Sequence, residues 1–120
     1  MTPEMRASFD GRVVHEALAT ASMVRWMEWA ARGLILDYLE PGEEGVGYEL
    51  HVLHLAPAPV GAACRCRAVL TEVNGTRITA AIMVECNGRQ VGEGTFTQVI
   101  VDNARFERRL KDGRLQRQNE

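Results

Sequence analysis

At 120 residues and 13.3 kDa the chain is one domain's worth of protein, and 46% apolar with 25% charged residues excludes disorder for its body. A net charge of −2 lacks the basic surplus of a general nucleic-acid binder, and the apolar runs fall far short of the roughly 18 residues a membrane span needs. No basic stretch followed by an apolar one stands in Met1-Thr2-Pro3-Glu4-Met5-Arg6, so no secretory signal is read, and the three cysteines are expected as reduced thiols in the cytoplasm.

Residues 5–14 read as a short strand or extended arm carrying Phe9, Val13 and Val14, broken at Asp10-Gly11. Residues 21–39 carry the helical signal: Met23, Trp26, Met27, Ala30, Leu34 and Tyr38 recur at spacings of three and four. Thr20 and Ser22 are N-cap candidates, and Pro41-Gly42 ends the segment. Trp29 and Ala21 add apolar surface off the main stripe, which predicts a helix buried on more than one side. Residues 46–56 alternate, placing Tyr48, Leu50, Val52 and His54 on one strand face and Glu49, His51, Leu53 and Leu55 on the other.

Asn74-Gly75 and Asn87-Gly88 predict two hairpins with type I′ turns, because both central residues of that turn need φ > 0. Val73 then opposes Thr76, Cys86 opposes Arg89, and three antiparallel strands run over about 62–73, 76–86 and 89–101. This register puts Ala62, Cys64, Cys66, Ala68 and Leu70 on one face with Thr79, Ala81, Met83, Gly92, Gly94 and Phe96, taken as inner because its small residues admit a helix. Val69, Ile78, Ile82, Val84 and Val91 fall on the other face and suggest that it is covered as well, by another subunit. From Asn103 the chain turns polar and basic, with Phe106 and Leu110 able to dock one helical turn, and 107–120 reads as a frayed tail of a single domain, 1–120. One helix on one face of an antiparallel sheet is an α+β arrangement, and its bare edges point to pairing between two copies.

Glu28, in Trp26-Met27-Glu28-Trp29-Ala30, is either a solvated helix residue or a carboxylate desolvated enough for base or nucleophile duty. His54 is either a satisfied core histidine or a functional one; His51 lies on the opposite strand face, which argues against a two-histidine metal site. His15 reads as solvated, and Cys64-Arg65-Cys66 within a strand is weak evidence for a metal and reads as structural. No nucleotide-binding glycine motif and no G-x-S-x-G elbow occurs.

The run Thr20-Ala21-Ser22-Met23-Val24-Arg25-Trp26-Met27-Glu28-Trp29-Ala30 resembles the helix motif T-x-x-M-x-x-x-M-E-x-A of hotdog-fold thioesterases, closest to the fluoroacetyl-CoA thioesterase-like branch. Tyr38-Leu39-Glu40-Pro41-Gly42-Glu43, His54 with Pro59-Val60-Gly61, the Asn74-Gly75 region and Gly92-Glu93-Gly94-Thr95 follow in the same order, so the resemblance covers about 18–106. It implies a curved sheet wrapped around one central helix, and a homodimer with active sites at the subunit interface, with a tetramer left open. It further implies hydrolysis of acyl-CoA thioesters in the cytoplasm without metal or cofactor. The catalytic set it carries over is Thr20, Glu28 and His54. The fluoroacetyl-specific members have a longer, aromatic-containing lid before the motif. Here Asp10 to Ala19 is short and holds no aromatic residue, which implies a more open pocket and a small or broad range of acyl groups. A non-catalytic acyl-CoA-binding or regulatory dimer and a hotdog enoyl-CoA hydratase are the alternatives; the first gains nothing from three polar site residues, and no hydratase motif is seen.

Overall fold

A computed structural model describes residues 1–9 and 11–119. Two strands precede the helix where one was expected. β1 (Arg6–Phe9) and β2 (Arg12–Leu18) form an antiparallel hairpin; Asp10, half of the predicted break, lies outside the described residues. α1 (Thr20–Ile35) follows and passes through a 3-10 turn, Leu36–Tyr38, before the chain reverses around Pro41-Gly42. β3 (Glu43–His54), β4 (Cys64–Asn74), β5 (Arg77–Cys86) and β6 (Arg89–Asp102) make one antiparallel sheet in the order β3-β6-β5-β4. The polar tail is helical, α2 (Asn103–Asn119): Asp102 Oδ1 accepts the Arg105 N–H at its start, Phe106 is half-buried and Leu110 exposed, while the side chains beyond Gly113 and all of Glu120 lie outside the described ones. Among the described residues no helix is long and apolar enough to cross a membrane.

The core is the seam between α1 and the sheet. Met23, Met27, Ala31 and Ile35 recur every four residues, so they line one side of the helix, and all four are buried. Met23, Met27 and Ala31 meet Ala80, Ile82, Val84 and Phe96 from the sheet, with Leu18, Ala58 and Ala62 closing the end, and Ile35 lies against Gly45 of β3. Burying a Met or Ile side chain is worth about 1.5–3 kcal/mol, which makes this stripe the main source of cohesion. The helix is buried on that one side only in the single chain: Trp29 is 70% and Tyr38 74% exposed, contrary to the expectation of wider burial. Gly92 lets the helix come close, since a Cβ there would lie 2.5 Å from Met23 Sδ. Gly94 serves a different approach, because its Cβ would land on the backbone carbonyl of His51 in the neighbouring strand.

The register corrects the predicted faces of β5. The Asn87-Gly88 turn forms as expected, with φ of 52° and 76° and Cys86 opposite Arg89. The other hairpin turns one residue later: Asn74 pairs with Arg77, and Gly75 alone has a positive φ, 62°, the pattern of a type II′ turn with glycine first. Bulges at Thr71 in β4 and Val91 in β6 then each shift the pairing by one residue. A one-residue shift inverts a strand's faces. Ile78, Ala80, Ile82, Val84 and Cys86 therefore point to the helix, and Thr79, Ala81 and Met83 point outward. Gly92, Gly94 and Phe96 keep the inner face predicted for them.

The same shift places Cys64 directly opposite Cys86, where the two form a disulfide with Cα atoms 4.0 Å apart. The expectation of three reduced thiols is corrected accordingly; Cys66 alone is free.

Candidate active site

Thr20 opens α1. The N-cap position is Ala19, and the predicted capping role of Thr20 and Ser22 is not used: no side chain caps this end. The Thr20 hydroxyl instead meets the imidazole of His54, with Oγ1 2.8 Å from Nδ1. Each partner is held from its own side. Ala19 N–H donates to Met5 O, and Leu18 N–H to Ala58 O, which fixes the approach to the helix. His54 ends β3 opposite Gly92, and the next amides, Leu55 and Ala56, both donate to Val91 O. The bulge that inverts β5 thus also supplies the carbonyl that anchors the chain beyond His54. Sequence reading missed Met5 and Val91 in these roles. Both act through backbone oxygens, which no side-chain pattern signals.

The two ring nitrogens of His54 differ in access. Nδ1 faces the Thr20 hydroxyl, while Nε2 is buried with no hydrogen-bond partner among the described residues. A buried polar atom left unpaired costs about 1–3 kcal/mol, so this is a position held at some expense to stability. Any reactant therefore meets His54 through Nδ1.

Glu28 is not brought to this pair within one chain. It lies eight residues beyond Thr20, about 12 Å along the helix axis at 1.5 Å per residue, and its side chain is exposed. Trp26 and Trp29 stand two residues before and one after it, positions that do not face it on a helix, so neither indole desolvates the carboxylate. Trp29 packs instead under the Arg25 guanidinium, 5.8 Å from the ring centre.

The remaining candidates stay apart. His51 is on the outer face as predicted, where Nε2 lies 2.9 Å from Glu49 Oε1. His15 is exposed on β2. Burial pushes the Cys66 thiol up from its ordinary value, which keeps it protonated and a poor nucleophile. A groove of about 740 Å³ lies on the outer face of the sheet, between His51, Leu53, Val69 and Met83, and is separate from Thr20 and His54.

Comparison with known proteins gives the family of the chain. Residues 1–104 match the family of the fluoroacetyl-CoA-specific thioesterase. The fluoroacetyl-CoA thioesterase of Streptantibioticus cattleyicolor is 31% identical over 96 residues, covering 80% of this chain and 69% of that protein. A Thermus thermophilus protein described as a thioesterase superfamily member superposes with a TM-score of 0.94 at 36% identity, over 99% of this chain and 88% of its own. A mutant of the fluoroacetyl-CoA-specific thioesterase, in complex with fluoroacetate and CoA, superposes with a TM-score of 0.86 at 27% identity, over 93% of this chain and 92% of that one. With one long helix against an antiparallel sheet, a threonine–histidine pair at the helix start, and a family match across nearly the whole chain, this protein belongs to the fluoroacetyl-CoA-specific thioesterase family: it is a hotdog-fold acyl-CoA thioester hydrolase.

Proposed function

We propose that Thr20, Glu28 and His54 form the catalytic set of a cytoplasmic homodimer that hydrolyses small or broad-range acyl-CoA thioesters in a single domain. The observation that carries this reading is the 2.8 Å contact between Thr20 Oγ1 and His54 Nδ1. With the hydroxyl donating, Nδ1 takes the proton as Oγ1 attacks the thioester carbon, and passes it to the departing CoA sulfur. Free N–H groups of the first turn of α1 and the helix dipole stabilise the oxyanion. Water then attacks the acyl-threonine ester; a carboxylate accepts one of its protons and gives it up to the departing Thr20 oxygen as the ester bond breaks, which returns the carboxylic acid, the free hydroxyl and the ionised carboxylate.

Glu28 is that carboxylate. Its distance from Thr20 along the helix supports a reading in which Glu28 of the partner subunit completes each site. The bare edge of β3 offers the pairing surface for such a dimer, since β3 is bonded to β6 on one side only. The breadth of the acyl group is read from the segment before Thr20: β2, Arg12–Leu18, has Val13 and Val14 exposed and contains no Phe, Tyr or Trp. CoA thioesters are an intracellular pool, which is the reason for the cytoplasm.

The test is thiol release from an acyl-CoA panel running from acetyl and fluoroacetyl to aromatic and long-chain groups. Thr20→Val and Glu28→Gln should each lose turnover. Mixed after unfolding and refolding together, they should recover about a quarter of wild-type activity, because half of the dimers are hybrids with one intact site. No recovery refutes a site shared between copies. Full activity of Glu28→Gln alone removes Glu28 from the set and leaves the way open to a different water activator.

A further inference from the structure

Charge is divided unevenly along the chain. Of the net −2, residues 103–120 carry +3 and residues 1–102 carry −5, since six of the 14 basic side chains but only three of the 16 acids fall in the tail. α2 is fastened where it begins: Asn103 N–H donates to Gly42 O, Asp102 Oδ1 accepts the Arg105 N–H, and Phe106 is half-buried. Arg105, Arg108 and Arg109 stand at spacings of three and four, so they share one flank of the fastened turns. All three are exposed, and among the described residues none makes an ion pair.

A guanidinium fork matches phosphate oxygens, so three unpaired arginines on one flank suit a polyanion. A CoA thioester is one, with a diphosphate and a 3′-phosphate, and the negative remainder of the chain repels it. Within one chain this flank is far from the candidate site. Glu43 pairs with Asp102, the residue before α2, and His54 lies at the other end of β3, about 37 Å away at ~3.4 Å per residue. Pairing along the β3 edge changes that distance. A two-fold axis through the middle of β3 sets His54 beside Glu43 of the partner subunit. The partner's Asp102 then lies one strand further, about 10 Å from His54 over two strand spacings.

We infer that Arg105, Arg108 and Arg109 of the partner subunit hold the phosphates of the CoA thioester whose acyl group lies at Thr20 and His54. Each tail thus serves the site of the other copy, which rests on the edge-paired dimer proposed above.

The test is isothermal titration with CoA and with pantetheine, which lacks every phosphate. Wild type should bind CoA at least about tenfold more tightly than pantetheine, by a margin that shrinks as salt rises. The triple variant Arg105→Glu, Arg108→Glu, Arg109→Glu should lose that margin, with circular dichroism unchanged because the positions are exposed. Equal affinities in wild type, or a margin that survives the triple variant, overturns the inference. The copy that supplies the arginines is read from thiol release at acyl-CoA well below the KM of the triple variant. Thr20→Val chains refolded together with triple-variant chains give hybrids in which one site joins an intact Thr20 to intact arginines across the interface. The mixture should exceed the triple variant alone in rate at equal total protein, and no gain refutes the supply of arginines by the partner. A triple variant that loses the binding margin, in a protein whose wild type releases no thiol, keeps the phosphate contacts and refutes the proposed hydrolysis.

Discussion

Thr20→Val separates a catalytic hydroxyl from a structural one. Valine keeps the β-branched shape of threonine and removes only the O–H, so the helix start loses no packing. What it loses is one neutral hydrogen bond, Thr20 Oγ1 to His54 Nδ1, worth about 1 kcal/mol net. It also leaves His54 with neither ring nitrogen bonded, since Nε2 has no partner already, so the cost rises to about 2 kcal/mol. For 120 residues the unfolding entropy is about 0.25 kcal/mol per kelvin, which converts 1–2 kcal/mol into a Tm lower by about 4–8 °C. The effect on turnover should be of another order. Loss of the attacking hydroxyl costs up to about 10⁶ in kcat, at a KM close to wild type. Differential scanning calorimetry and thiol release at saturating acyl-CoA read the two quantities on one preparation, with Thr20→Ser as the control that retains a hydroxyl and most of the rate. A kcat for Thr20→Val within threefold of wild type would falsify the proposed role of the hydroxyl.

Met27→Ala empties a fully buried position on the helix stripe and should destabilise by about 2–5 kcal/mol in urea titration; a loss below 1 kcal/mol would mean that α1 is not held by this seam. Gly94→Ala should cost at least about 1–3 kcal/mol, because its Cβ falls on the His51 carbonyl and backbone cannot swing aside as a side chain can; unchanged thermal stability contradicts the close approach of β3 and β6. The Arg32 guanidinium, with the Gly45 N–H, holds the Glu44 carboxyl below its usual range. A carboxyl lowered by folding adds stability above its unfolded pKa that is lost as pH falls through the folded value. Glu44→Gln should therefore show a smaller drop in Tm from pH 7 to acid than wild type, by a small margin because the pair is exposed, and equal drops would refute the coupling.

The order of elements and the stripe Met23–Met27 were legible because both are periodic over many residues. The faces of β5 were not, and the reason is local. Each Asn-Gly pair announces a turn, but a single bulged residue, Thr71 or Val91, inverts everything beyond it. The composition of β5 held the correction, since Ile78, Ile82 and Val84 are a better inner face than Thr79 and Met83. The missed disulfide has the same origin: one residue of register separates Cys64 opposite Glu85 from Cys64 opposite Cys86. At the site, the resemblance proposed Thr20 and His54 separately; their contact joins residues 34 apart in sequence, and only the fold brings them together. The displacement of Glu28 from that pair within one chain was implicit in the helical rise, which spacing on a motif hides.

The N-terminal hairpin forms a two-stranded sheet of its own. Beyond it, β2 reaches the rest of the fold through the Ala17–Pro59 bridge and the Leu18 N–H to Ala58 bond, with no ladder to the four-stranded sheet. Such a segment opens at the cost of a few hydrogen bonds and the burial of Leu18, whereas β5, paired on both sides, is released only with the whole domain. Amides of β2 should therefore exchange with deuterated water through a local opening, well ahead of those of β5. Thr20 stands where that arm joins the helix. A local opening of the arm therefore alters the surroundings of the proposed nucleophile while the sheet and its helix stay paired.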